Sequence, residues 1–545
     1  MRSKSFVLRV TTVHPRTRAV AAGKPSTTGS AAAVGGIMTG VRWFRRRIRP
    51  LPRARTPLDV VPGLVARAEA GHPHAFHDLC EGLLGAAAEP TCAGRALDAL
   101  TASRPTLWLD LDLALRAPWY DYMRPARRPG TSRGWEPGTT LDVALRASSH
   151  DGYEREQAVR HDAMRTDFRL LPVLVIRAAD WVDEVRIAAL ETLRLVLADP
   201  AADLLAALPI AVRLGDRRRG GPALAEVRAA LLRADDGTSA RARGCADPRA
   251  RRFAYRVSLD SGRLRETDLM AAALGESDAV SRVWCAEAVG RMDRPDLLER
   301  LLTGRSARVR AVALTGLVRL GRPEHGARFL DDRSTVVRLT AQWAVRRAGG
   351  DPAQTCRALL AARPGARVAG LIAGLGDCGG GGDAGLVRPY LADPRPAVRA
   401  EAVRALLRLG APVDLIPMLG DPAPAVVWRA VTGLRRSGVP ADRLWPLLGP
   451  GLPRHVRQAA HRLLTGVDTW TRLKADLTLM GDTDESLRRR ARADLVMWRA
   501  DGAATMYTSP PRQLADELAA LIDAAEASLG QREAAELRWF LSVGG

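Results

Sequence analysis

The chain has 545 residues, a formal net charge of +22 and only 5% aromatic residues. No apolar run approaches the ~20 residues that a membrane-spanning helix requires, and the six cysteines (Cys80, Cys92, Cys245, Cys285, Cys356 and Cys378) form no Cys-x-x-Cys pair or regular framework. Transmembrane and disulfide-framework classes are therefore set aside, and reduced, mostly buried thiols in a cytoplasmic protein are expected.

Residues 1–57 read as a basic, disordered extension rich in Ser, Thr, Gly and Ala. Thirteen cations and no acid fall in residues 1–58, so the other 487 residues carry only +9 of the total. Met38 offers an internal start, and no apolar segment of signal-peptide type follows Arg45-Arg46-Arg47. The short segment from Val41 to Ile48 mixes Trp43 and Phe44 with arginines. It suits an anionic lipid surface or nucleic acid, or simply a solvated tail.

Residues 58–117 carry helical spacing (Leu64, Val65 and Ala68; Phe76, Leu79, Leu83 and Leu84) and are expected to form a divergent N-terminal helical cap. Residues 118–140 lose that periodicity and concentrate Trp119, Tyr120, Tyr122, Arg127, Arg128 and Trp135. Aromatics with arginine are enriched at binding hot spots, so these six are candidate contacts for a protein partner. The plainer alternative is a loop folded back with its aromatics packed.

From residue 141 to 497 one phrase returns: an acidic or Gly-containing turn, then a Val-Arg pair opening an Ala/Leu-rich helix. It runs from Asp180 to Val185-Arg186, from Asp332 to Val337-Arg338 and from Asp393 to Val398-Arg399. Weaker copies centre on Arg155, Arg252, Trp284, Arg310, Arg367, Arg429, Arg457 and Arg488, with steps of 28, 29, 32, 30, 28 and 31 residues from Arg310 to Arg488. A period near 30 that contains two helical patterns predicts an all-α fold, an α-solenoid of roughly 10–12 stacked helical pairs. Each helix should span about 10–13 residues, and Ala313, Ala341, Ala402, Gly316 and Gly433 should let neighbours approach closely. Residues 498–545 read as a more polar C-terminal helical cap.

The turn Asp and the Arg six residues later resemble the HEAT-like repeats, including the short class found in phycobilin-lyase-type proteins. The resemblance rests on Asp180/Arg186, Asp332/Arg338, Asp393/Arg399 and Asp482/Arg488. In that family such groups tend to form a ladder between adjacent repeats, which implies a structural role here. Gly304 before Arg310, and Trp284-Cys285 in place of Val-Arg, depart from the pattern.

Lysine occurs only at Lys4, Lys24 and Lys474, so arginine supplies the charge, and the Ala/Arg/Gly/Pro excess reads partly as GC-rich coding. The densest basic stretch of the repeat region spans residues 217–256. Arg217, Arg218, Arg219, Arg249, Arg251 and Arg252 are candidate nucleic-acid contacts there, as is the N-terminal tail.

Chemistry is sparse. The glycine run Gly376–Asp383 lacks the Gly-Lys-Ser/Thr ending of a phosphate-cradling loop. The pairs His77-Asp78, His150-Asp151 and His161-Asp162 lack a second His-Asp cluster, and no histidine precedes Glu, so di-iron hydroxylase chemistry of HEAT-like proteins is not expected. Trp108/Asp110, Trp181/Asp183 and Trp284/Glu287 imitate the site of HEAT-like DNA glycosylases without carrying a family motif. The reading assigns no catalytic residue, cofactor or metal. It expects a non-enzymatic scaffold that binds a protein partner on a concave surface, with nucleic-acid binding, possibly as a DNA glycosylase, as the alternative.

Overall fold

A computed structural model of the chain describes residues 60–116, 136–200, 202–362, 367–502 and 509–542. These belong to one unit, Leu58–Gly545. The described residues are all-helical, without a strand. The aromatic loop candidates Trp119, Tyr120, Tyr122, Arg127, Arg128 and Trp135, and the N-terminal tail, lie outside them.

Four helices (Val60–Glu69, Ala75–Ala86, Pro90–Ala102 and Leu107–Leu115) precede the repeat region. The helices that open on the recurring phrase are α1 (Gly152–Arg160), α2 (Asp183–Val196), α3 (Pro248–Asp260), α4 (Ala279–Gly290), α5 (Ala307–Arg319), α6 (Thr335–Arg347), α7 (Val368–Cys378), α8 (Pro396–Arg408), α9 (Pro424–Ser437) and α10 (Arg454–Leu464). α11 (Thr469–Met480) follows, and α12 (Glu485–Met497), which opens on the Asp482–Arg488 copy of the phrase, leads towards the C-terminal pair Arg512–Leu529 and Gln531–Ser542. Packing runs mainly between elements near each other in the chain: α5 on α6, α7 on α8, α8 on α9, α9 on α10 and α11 on α12. This pattern is consistent with a helical repeat.

The turn aspartate explains where these helices start. Oδ1 of Asp180, Asp332, Asp393, Asp421 and Asp482 accepts the backbone N–H two residues on, at 2.7–3.0 Å. That Asx turn reverses the chain just before the first helical residue and leaves the other carboxylate oxygen available. After α8 and α9 the chain leaves through Gly410 (φ 67°) and Gly438 (φ 70°), a backbone region that costs glycine nothing.

Not every unit holds two full helices. Where a first helix of 10–13 residues is expected, the chain makes 3-10 turns at Pro323–Phe329, Pro417–Gly420 and Trp445–Leu448, and one short α-helical turn, Ala384–Val387, running into a 3-10 turn at Arg388–Ala392. Pro323, Pro389, Pro417 and Pro446 each sit at the start of one of these turns, and the short span between one turn and the next cannot hold three helical turns around them.

The apolar interior is nearly continuous along the chain. Residues such as Leu297, Leu301, Leu314, Leu317, Val337 and Leu371 form one stretch, and Val403, Leu419, Val426, Leu463, Leu473 and Trp498 form the next. Close approach is built in: a Cβ on Gly376 would lie 2.7 Å from the Ala405 backbone, so α7 and α8 touch only because that position is glycine. No helix among the described residues is long and apolar enough to cross a membrane.

Candidate functional site

The repeat arginines divide into those the fold consumes and those it leaves unpaired. In the first group Arg155, Arg310, Arg338 and Arg399 each reach two turns, and Arg186, Arg457 and Arg488 make one half of that pattern. Backwards, the guanidinium donates to the carbonyl six residues earlier: Arg186 to Asp180 O at 3.1 Å, Arg338 to Asp332 O at 2.8 Å, Arg399 to Asp393 O at 2.8 Å and Arg488 to Asp482 O at 2.7 Å. Forwards, it takes a carboxylate further along the chain. Arg155 grips Asp180 with two hydrogen bonds of 3.0 and 2.9 Å. Arg310 grips Asp332 with two of 2.9 Å, and Arg399 grips Asp421 with two of 2.7 and 2.8 Å. Arg457 pairs with Asp482. Arg338 reaches Asp377, 39 residues on, at 2.9 Å.

The Asp and Arg six residues apart are therefore not ion-paired to each other. The arginine binds the backbone of its own turn, and its own turn's carboxylate serves an arginine from earlier in the chain. Asp393 is an exception and holds Arg395 instead, which keeps its carboxyl at about 2. Arg251 and Arg282 occupy the role that sequence spacing gave to Arg252 and Trp284. Arg251 donates to Cys245 O and Glu276, and Arg282 donates to Ser277 O. Aligned on its turn aspartate, the unit centred on Arg429 places Val427 at this position, six residues after Asp421.

Two of these carboxylates gather several arginines in the interior. Asp180, with its side chain fully buried, receives Arg116, Arg155 and Arg177. Asp377 receives Arg338, Arg404 and Arg408. Burial and the neighbouring Arg404 charge push the Arg338 guanidinium below the usual arginine range.

The unpaired group lies on an open face. A groove of about 740 Å³ crosses α6, α7, α8 and α9, floored by small residues (Ala369, Gly370, Ala373, Ala397, Ala400 and Ala425) and walled by arginines and three carboxylates, Asp331, Asp332 and Glu401. Of its arginines, Arg310 and Arg338 belong to the internal pairs, Arg367 meets Asp331 at 3.3 Å, and Arg429 meets Glu401 at 3.8 Å. Arg328 and Arg333 are exposed and meet no carboxylate among the described residues.

A second opening of about 550 Å³ lies around Trp428, Val431, Thr432, Arg435 and Arg436 of α9 and Arg462 of α10. Trp428, Thr432 and Arg435 follow one another at i, i+4 and i+7, which places them in one stripe. Trp428 is half-buried, the Arg462 guanidinium stands 5.8 Å from its ring, and no carboxylate lines the opening. Each opening suits anionic groups, and the second adds an aromatic anchor.

The basic stretch at 217–256 behaves differently. Arg217, Arg218 and Arg219 are exposed, and Arg249 stands 3.8 Å from Asp216. Arg251 and Arg252, however, are committed: Arg252 holds Asp278 with three contacts of 2.7–3.1 Å. The tryptophan–acid candidates have three different surroundings. Trp108 is buried, Trp284 lies under Arg256 at 4.0 Å, and Trp181 is exposed beside Arg155. The glycine run after α7 is a turn tied by Asp383, which accepts from Gly380 N at 3.0 Å and Arg357 at 2.6 Å. Among the described residues only His461, Asp476 and Asp494 come together as potential metal donors, a cluster that no local sequence pattern announces.

No protein-family model matches the chain, and no curated protein matches it. Among solved structures it is similar to an engineered protein whose crystal structure comes from the Northeast Structural Genomics Consortium, at 17% identity over 80% of this chain and 98% of that one. The TM-score is 0.13, and at that value the likeness carries no argument about fold or function.

Proposed function

We propose that this chain is a non-enzymatic binding scaffold, an α-solenoid of HEAT-like pairs, and that its groove receives an acidic segment of a partner protein. One observation carries the reading: α6, α7, α8 and α9 line an open, arginine-walled groove, α9 also lines a second opening around Trp428, and among the described residues Arg328, Arg333, Arg435, Arg436 and Arg462 there meet no carboxylate. Guanidiniums bind carboxylates in paired fashion, and a half-exposed indole among them is a typical hot-spot anchor. In a solenoid these helices would line the concave side. The six free cysteines suit the reducing cytoplasm as its place of action. The aromatic loop 118–140 remains a secondary contact in this proposal.

The test is fluorescence anisotropy of a labelled Asp/Glu-rich peptide carrying one aromatic residue, titrated with the full chain. Saturable binding that Arg333→Glu and Arg435→Glu each weaken at least tenfold supports the scaffold reading. Equal binding by those variants overturns the groove assignment. Nucleic acid is the second reading, because an indole ringed by arginines also suits a stacked base flanked by phosphates. Single-stranded DNA that outcompetes the peptide, with a steep salt slope, would put that reading first.

A further inference from the structure

Beyond the groove, three helices bring a polar cluster into apolar packing. His461 lies on α10, Asp476 on α11 and Asp494 on α12, and each offers a donor atom within 4.8 Å of the other two. The same helices contribute Leu464, Leu473, Leu477 and Leu495 to the core. His461 is 2% exposed and Asp476 is 0% exposed. The His461 ring meets Asp476 through Nε2 and Oδ1 at 2.7 Å, yet Asp476 Oδ2 and His461 Nδ1 have no hydrogen-bond partner. A buried polar atom left unpaired is costly and uncommon in a folded interior, so this carboxylate calls for something that occupies its free oxygen.

We infer that His461, Asp476 and Asp494 form a binding site for a first-row divalent cation of the Zn²⁺ type. One imidazole and two carboxylates form a donor set such ions accept. Metal–donor bonds of about 2.0–2.2 Å place neighbouring donors about 3–3.5 Å apart. The present separations, from 2.7 Å to at most 4.8 Å, bracket that range, so side-chain rotation can close the site without moving helices. The way in is past Asp494, which is 31% exposed, while the other two donors are sealed.

Arg472 now holds Asp494 with two hydrogen bonds of 2.8 and 3.0 Å. It is the resident counter-cation, and an incoming ion must displace it. That competition separates a metal site from a merely structural cluster, because removing the arginine should tighten metal binding.

The experiment uses the full chain, stripped with a chelator and dialysed against ZnCl₂, with bound zinc measured by elemental analysis and affinity by competition with a chromophoric chelator. One tightly bound equivalent is expected. Asp494→Asn, at a partly exposed position, should weaken it at least tenfold, and Asp476→Asn and His461→Gln should abolish it in samples that keep the wild-type circular dichroism spectrum. Arg472→Met should tighten it at least threefold. The inference is overturned if no stoichiometric zinc binds, if Asp494→Asn binds as wild type does, or if Arg472→Met leaves the affinity unchanged.

Discussion

Around Asp180 three guanidiniums, from Arg116, Arg155 and Arg177, close on a carboxylate with no solvent exposure, and Asp112 takes a share of two of them. Around Trp428 three guanidiniums, from Arg435, Arg436 and Arg462, stand in solvent with no carboxylate in the opening. The residue type and local density are the same, but the first set is spent on holding helices in register and the second is free to meet a ligand. Net charge therefore does not locate a binding face in this protein; pairing does. The stretch at 217–256 makes the point within itself, since Arg251 and Arg252 are committed internally while Arg217, Arg218 and Arg219 are exposed.

The contrast is broken most severely by Asp180→Ala. Two buried arginines, Arg155 and Arg177, and the half-buried Arg116 then lose their shared partner, and the expected loss is about 3–5 kcal/mol of stability, read from urea denaturation. A loss below about 1 kcal/mol would mean that water already screens the cluster. Arg399→Ala removes a two-bond link at the edge of the interior. It should cost about 1–3 kcal/mol, between the exposed and buried limits, while peptide binding in the groove stays unchanged. Lost binding at unchanged stability would move Arg399 into the ligand-facing group.

The pH dependence of unfolding sharpens the same contrast. Hydrogen bonding by Arg252 brings the Asp278 carboxyl down to about 2. Its folded value lies below the unfolded one, so its stabilisation is complete above about pH 4 and fades as pH falls towards 2. Asp476 has the opposite sign, because burial raises it to about 6. The folded state then binds the extra proton, and its contribution is full below about pH 4 and lost as pH rises through 6. Asp278→Asn should flatten the acid limb of the stability profile, and Asp476→Asn should remove a decline between pH 4 and 6; a shared sign for both would refute the burial argument. The smallest effect on stability belongs to Arg435→Glu with Arg462→Glu. Unfolding should shift by no more than about 0.5 kcal/mol, while peptide binding falls at least tenfold.

The turn–helix phrase was legible because it is local: an aspartate that accepts the N–H two residues on, and a guanidinium that reaches back six residues, are both written within one turn. The partner of each arginine was not legible. It lies 22 residues ahead for Arg310 and Arg399, 25 for Arg155 and 39 for Arg338, and an inserted turn changes that distance without altering the phrase. Arg251 and Arg252 differ by one position, which on a helix is 100° of rotation and a different set of neighbours. Proline at Pro389, Pro417 and Pro446 signalled that first helices would be short, yet period counting alone treated them as full length. Trp428, Thr432 and Arg435 carry an i, i+4, i+7 signal in the sequence, but the recurring phrase in that unit points to Arg429, one position away on the helix. His461, Asp476 and Asp494 sit on three different helices, and only tertiary packing joins them.

Val427 stands where the strong copies carry arginine. Asp421 receives Arg399 from the preceding helix, but among the described residues no ion pair leaves this turn for the next; His455 ties back by one 3.0 Å hydrogen bond to the Asp421 carbonyl, and Arg462 lies over Trp428. Under tension a chain of linked units parts where its links are fewest. Pulled from its two ends, this molecule should first yield between α9 and α10, and the Trp428 opening, which borrows Arg462 from α10, would come apart at the same moment.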